Sequence, residues 1–238
     1  MPPFRLPELD RTNWPELREQ IVGYAPDDPH PQPRSYPGYP RWPLPRPRPR
    51  LWPSLARVLR SRRSHRLLTD ETPSPKLLAH IVGSSHGTCG EHGRGPVPSS
   101  GGLQSLELYL VHFADSWLPA GLYHYDRAAH LLAQIVPAAD RNAWVERVPS
   151  LPMVEGGALL WVLVGDGARL EDKYGDRSQR FLLLEAGHLM QNLCLVSASL
   201  GWATVPLGSF LEQDIARAFV LPPTDLVLYV GAFGKPKA

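Results

Sequence analysis

Apolar and polar residues alternate along this chain in blocks whose period identifies most of its elements. Leu106–Phe113 is nearly continuous in Leu, Tyr and Val and predicts a strand, as does the apolar run Ala158–Gly165. Gly121–Tyr125 and His130–Ile135 flank Asp126-Arg127-Ala128-Ala129 and predict a hairpin. Ser54 is placed to cap a helix through Ser61, and Ser74-Pro75 to open another through Ser84. A Gly-, Ser- and His-rich loop follows over 83–102. The longest helical block is Ser178–Leu200, where Phe181, Leu182, Leu183, Leu184, Leu189, Met190, Leu193, Leu195 and Val196 cover most of the circumference. A helix apolar on nearly every side must be buried on nearly every side. In a chain this small, that predicts a helix held between its own sheet and a second subunit. Glu212–Phe219 predicts a short helix and Asp225–Phe233 a last strand.

Composition changes this picture at one end only. Fifteen of the 27 prolines fall in residues 1–53, and residues 25–50 carry one at every second or third place in long stretches. Such a segment can neither propagate a helix nor fill a central strand. The expected organisation is therefore a Pro-rich extended arm, 1–53, followed by a folded domain, 54–238. The arm is read either as wrapped on its own or a neighbouring subunit, with Trp42 and Trp52 as anchors, or as a docking segment for a partner. The net charge of +2 over 238 residues gives no reason to expect nucleic acid or a membrane surface as a partner. Two cysteines make no disulfide framework, and the N-terminus lacks a basic-then-apolar leader, so a cytoplasmic protein is expected.

Candidate chemistry is dispersed. Arg62-Arg63-Ser64-His65-Arg66 follows the first predicted helix; guanidinium groups bind phosphate oxygens bidentately, and a Ser hydroxyl adds a neutral donor. In an extended segment Arg62, Ser64 and Arg66 point to one side, and Arg63 and His65 to the other. Pro98-Ser99-Ser100-Gly101-Gly102 precedes the strand at 106, and its small residues allow backbone amides close to a flat ligand. Lys173-Tyr174 pairs two side chains able to move protons. Glu185, His188, Gln191 and Asn192 interrupt the apolar helix and need partners wherever they are buried. His86, Cys89 and His92 lack the spacing of a zinc site, so no metal is expected. Walker and dinucleotide-binding patterns are absent from the sequence.

Each piece is weak alone, but their order resembles the nitroreductase-like FMN-dependent superfamily, and within it the SagB-type dehydrogenases, which oxidise thiazoline and oxazoline rings. The resemblance runs from about Pro43 to Lys237. It rests on residues 62–66, on 98–102 leading into Leu106–Val111, and on Gly121–Asp126. Lys173-Tyr174-Gly175, Glu185–His188 with Gln191-Asn192, and Val205–Phe210 complete it. It implies an α+β fold with a central, mostly antiparallel sheet flanked by helices in an intertwined homodimer carrying FMN. Arg62, Ser64 and Arg66 would hold the FMN phosphate, with Lys235 and Lys237 completing that site. Pro98, Ser99 and Ser100 would reach the flavin ring from the other subunit, and Pro206, Leu207 and Gly208 would lie beside it. Lys173 and Tyr174 would act in proton removal. A cyclodehydratase or carrier protein, with a peptide substrate, is the implied biosynthetic partner. The sequence departs from the family pattern at Gly83–Pro96 and at Gly102-Leu103-Gln104-Ser105.

The same scaffold also serves NAD(P)H-dependent nitro- and quinone-reductases. A different class of reading is a flavin-binding scaffold subunit whose Pro-rich arm docks a partner.

Overall fold

The computed structural model describes residues 33–47, 53–89 and 93–237; Trp52, His92 and most of the Pro-rich segment lie outside them. Its centre is an eight-stranded sheet built from β1 (Arg41–Pro43), β2 (Leu68–Thr69), β3 (Leu106–His112), β4 (Gly121–Asp126), β5 (Leu131–Pro137), β6 (Leu159–Asp166), β7 (Ala203–Leu207) and β8 (Asp225–Pro236). The order is β1-β5-β4-β3-β6-β8-β2, with β7 also paired to β8. Every strand pair is antiparallel. Among the described residues, six helices flank the sheet: α1 (Leu55–Ser61), α2 (Pro75–His86), α3 (Arg141–Arg147), α4 (Gly167–Tyr174), α5 (Ser178–Ser199) and α6 (Glu212–Ala218). This is the expected α+β arrangement.

Alternation along the strands divides the interior into two cores. Leu106, Leu108 and Leu110 of β3, with Trp161 and Leu163 of β6, face α2 and α5. Tyr109 and Val111, with Leu160, Val162 and Val164, face the other way, toward Trp144, Ile215 and Phe219. One β3 sequence thus serves both layers because successive side chains point to opposite faces.

Local chemistry starts the helices. Ser54 Oγ accepts from Arg57 N at 3.3 Å and Ser74 Oγ from Leu77 N at 3.3 Å. Two elements are ones that the sequence pattern does not predict. The polar segment after β6 forms the helix α4, whose N-cap Asp166 accepts from Arg169 N at 3.3 Å. Arg41-Trp42-Pro43, inside the Pro-rich segment, forms β1 on β5, where Trp42 meets Tyr123 edge-on at 5.5 Å. It is an outermost strand, where missing N–H donors cost least. Within the single chain, α5 packs Leu182, Ala186, Leu189 and Leu193 inward, whereas Leu183 and Leu184 are exposed. By length and mean hydropathy the helical run Gly167–Ser199 also suits a membrane span. Its inward stripe, however, is part of the sheet-backed core.

His86 ends α2 inside the core, its Nε2 donating to the Leu106 carbonyl at 3.1 Å, while Cys89 lies exposed. Burial, and secondarily the charge of Arg127, push its pKa down from 6.5 to about 4. Between those values the unfolded chain binds a proton that the folded chain does not. The His86 contribution is therefore full above pH 6.5 and lost as pH falls toward 4. From pH 7 to pH 5 wild type should lose about 2 kcal/mol more than His86→Gln in chemical denaturation. Parallel pH profiles for the two proteins would contradict this.

Candidate active site

The basic segment begins where α1 stops. Arg62 closes the helix, its N–H donating to the Val58 carbonyl at 2.8 Å, and Ser64 and Arg66 continue in the open. Arg63 folds back, donating to the Arg60 and Arg62 carbonyls at 2.7 and 2.9 Å, where its charge meets the negative end of α1. Two backbone hydrogen bonds then fix the path of the chain: Glu155 N to Arg66 O at 2.8 Å and Lys237 N to Leu67 O at 3.0 Å. Because β2 pairs with the end of β8, Leu68 opposite Pro236 and Thr69 opposite Lys235, residues 62–66 and Lys235–Lys237 share one end of the sheet. Lys235 pairs with Glu71 at 2.9 Å and Lys237 with Glu155 at 2.5 Å. These are exposed pairs, held weakly enough to rearrange around an anion.

The turn Pro206-Leu207-Gly208 closes β7, with Pro206 opposite Gly231 of β8. That is four residues, roughly 13 Å, from Lys235 along the strand. A side chain built on Gly208 would meet nothing within 4 Å, so this backbone faces open space.

The second group lies on the other side of α5. Glu185, one of the polar interruptions in that helix, is buried and accepts from Ser99 Oγ at 3.3 Å and Ser100 N at 2.5 Å. Burial pushes its carboxyl up, with the Ser100 and Ser99 donors opposing. The loop then folds onto α4: a Cβ on Gly101, which has φ +59°, would stand 2.7 Å from Tyr174 Oη and 3.0 Å from Lys173 Nζ. Glycine is therefore required twice there, for its left-handed backbone and for the missing side chain. Tyr174 packs on Phe181 at 4.7 Å between ring centroids, and Lys173 Nζ lies 5.8 Å from the Tyr174 ring centre. Ser99, Ser100, Lys173, Tyr174 and Glu185 thus form one unit, beside the exposed Pro98.

Within one chain the two groups stand apart. Ser100 meets α5 at Glu185, whereas the charge of Arg62 acts near Cys194, a buried thiol that burial pushes up to about 11. Those α5 positions are nine residues, roughly 13 Å, apart.

Behind α4 lies a buried ionic network that sequence reasoning missed. Glu107 takes His124 Nε2 at 2.9 Å and Arg169 at 2.8 Å, and Arg169 Nε also reaches Asp166 at 2.9 Å. Burial alone would raise the Glu107 carboxyl, but His124, Arg169 and Arg34 outweigh it and hold the group well below the usual carboxylate range. Arg34 grips Asp225 and reaches Asp166 at 3.2 Å. One signal was visible in the sequence: Glu107, His124 and Asp166 are charged or titratable positions inside otherwise apolar strands, which only a partner makes tolerable. Glu185 carried the same signal in α5.

Comparisons with known proteins identify the family and the fold. Residues 59–235 match the family described as Nitroreductase family. A protein of Methanocaldococcus jannaschii that carries a nitroreductase name is 27% identical over 171 residues, 72% of this chain and 86% of that one. A crystal structure of a nitroreductase from Ralstonia eutropha has the same fold at a TM-score of 0.73 and 23% identity, covering 89% of this chain and 98% of that one. The fold also matches a chain of the Escherichia coli microcin synthetase McbBCD complex with truncated pro-MccB17 bound. There the TM-score is 0.64 at 17% identity, over 99% of this chain and 85% of that one.

Proposed function

The chain belongs to the nitroreductase family of oxidoreductases, and on that footing we propose that it is an FMN-dependent dehydrogenase converting thiazoline or oxazoline rings, held on a peptide or carrier protein, to azoles. One observation carries this reading: Lys173 and Tyr174 are packed onto the Ser99–Gly101 loop, which is fastened to α5 by Glu185. Dehydrogenation of the ring needs a group that removes the Cα proton as the hydride leaves, and a proton-moving pair held in fixed relation to the ring-binding loop suits that step. The fold likeness to the microcin synthetase complex, over nearly the whole chain, supports the same direction.

The donor set fits a flavin mononucleotide. Arg62, Ser64 and Arg66 supply two guanidiniums and a hydroxyl for a phosphate, next to Lys235 and Lys237, and the open backbone at Gly208 leaves room for a ring. FMN, when bound, supplies the hydride acceptor that the protein lacks. Lys173 takes the ring Cα proton, and Tyr174 orients it. Loss of that proton and of a hydride from the neighbouring carbon aromatises the ring.

Two copies complete the site in this reading. The loop 98–100 and Lys173-Tyr174 come from one protomer; residues 62–66, 206–208, Lys235 and Lys237 come from the other. The exposed Leu183 and Leu184 of α5 fit burial in that homodimer. A free exposed Cys89 and a free buried Cys194 suit a reducing cytoplasm.

The purified protein should be yellow, and with a thiazoline peptide under air it should remove two hydrogens per ring, read by mass spectrometry. Arg66→Glu should come off the column colourless. A protein that leaves the thiazoline unchanged, yet whose flavin bleaches at once with NAD(P)H, is instead a reductase. The nitroreductase name of the archaeal relative favours that second reading.

A further inference from the structure

We propose that Arg34, far away in sequence in the Pro-rich segment, is a positioning residue for the Lys173-Tyr174 site, acting through Asp166 and Arg169. The inference rests on the reading of Lys173 and Tyr174 given above.

The connection is continuous. Arg34 reaches Asp166 Oδ2 at 3.2 Å, and the same oxygen takes Arg169 Nε at 2.9 Å. Asp166 Oδ1 caps α4 through Arg169 N at 3.3 Å. Arg169 also donates from Nη1 to the Gln104 carbonyl at 2.9 Å. Gln104 N in turn donates to Ser99 Oγ at 2.7 Å, and Ser99 Oγ to Glu185 at 3.3 Å. Gln104 holds a φ of +52°, a conformation that a non-glycine residue keeps only under such constraint. The network therefore sets both the start of α4 and the loop that α4 carries at its far end.

Arg34 is the member that makes Asp166 stay. Its guanidinium bridges Asp166 and the fully buried carboxylate of Asp225, and also donates to Tyr109 Oη at 3.1 Å, which meets Tyr36 Oη at 2.8 Å. Two carboxylates and one shared cation make a fork that a single ammonium cannot reproduce. Without it, Asp166 is held by Arg169 alone, and the cap of α4 is free to turn. Because the Gly101 backbone lies against the tips of Tyr174 and Lys173, a shift of α4 moves the reacting groups relative to the loop, and a displacement of about 1 Å can cost on the order of 100-fold in rate.

The test uses the full flavin-loaded chain with a thiazoline peptide, and Lys173→Ala alongside. Arg34→Gln should keep its flavin and its KM but lose roughly 10- to 100-fold in kcat, with Arg34→Lys recovering part. Hydrogen exchange should accelerate in residues 99–104 and 166–174 and stay as in wild type over 62–68. Since Arg34→Gln strands a buried carboxylate, Arg34→Gln with Asp225→Asn removes both charges and preserves folding; it should show the same loss of kcat and the same local exchange. Wild-type kcat in that double variant, or exchange raised evenly across the chain, overturns the clamp while leaving the site intact. Full turnover in Lys173→Ala overturns the reading of the site, and the clamp with it.

Discussion

Lys173→Ala should lower turnover by roughly 10²- to 10⁴-fold while the protein stays yellow, since the flavin-binding groups proposed at 62–66 and 235–237 lie elsewhere. Tyr174→Phe should follow it with a smaller loss. The phenylalanine keeps the ring packed on Phe181 but removes the hydroxyl that lies against Gly101. The two variants together separate chemistry from architecture: visible absorbance reports the bound flavin and steady-state kinetics reports the reaction. Full activity in both would remove the pair from the mechanism. Loss of colour with loss of activity would instead make them binding residues.

Glu107→Ala should destabilise the fold by about 3–5 kcal/mol, the usual cost of removing one partner from a buried ion pair. Its carboxylate is the shared acceptor for His124 and Arg169, and the Glu107 and His124 side chains are nearly inaccessible. Removing it leaves His124 Nε2 and one Arg169 nitrogen without their acceptor, and His124 Nδ1 already lacks a partner among the described residues. At roughly 2–4 °C per kcal/mol for a domain of this size, the melting temperature should fall by on the order of 10 °C. A melting temperature within a degree or two of wild type for Glu107→Ala would mean that water reaches this network.

The strands and long helices were legible because their signals are local. Period-two alternation in β3, Ser54 and Ser74 before helical runs, and the apolar density of 178–200 each express a preference that needs no distant partner. What went unread depended on partners far away in sequence. The helix α4 has a polar composition and is stabilised by Asp166 and by Arg169, whose partners Glu107 and Gln104 lie some sixty residues earlier. The strand β1 exists only because β5 offers an edge to a Pro-rich segment. The cover expected over the outer side of α5 is likewise a distant partner: apolar residues on every side report that a helix must be covered, but not what covers it. Leu183 and Leu184 remain exposed in the single chain.

The candidate site divides along the same line. Residue types with their own chemistry, such as Arg62, Ser64, Arg66, Lys173 and Tyr174, stand out in the sequence, since guanidinium, amine and phenol carry function wherever they lie. Their order along the chain was enough to suggest a nitroreductase-like oxidoreductase. Only the tertiary structure decided which of them meet. Antiparallel pairing of β2 with the end of β8 brought the chain just after residues 62–66 against Lys235–Lys237, and the bare Cα of Gly101 let the Ser99–Ser100 loop settle on Lys173 and Tyr174. It also showed that Glu185 fastens that loop, and that Arg34 reaches across the sheet to the cap of α4. Side-chain chemistry is a property of each residue and survives in the sequence. Juxtaposition is a property of the folded sheet, whose register brings together residues that the chain keeps as many as 191 positions apart, as with Arg34 and Asp225.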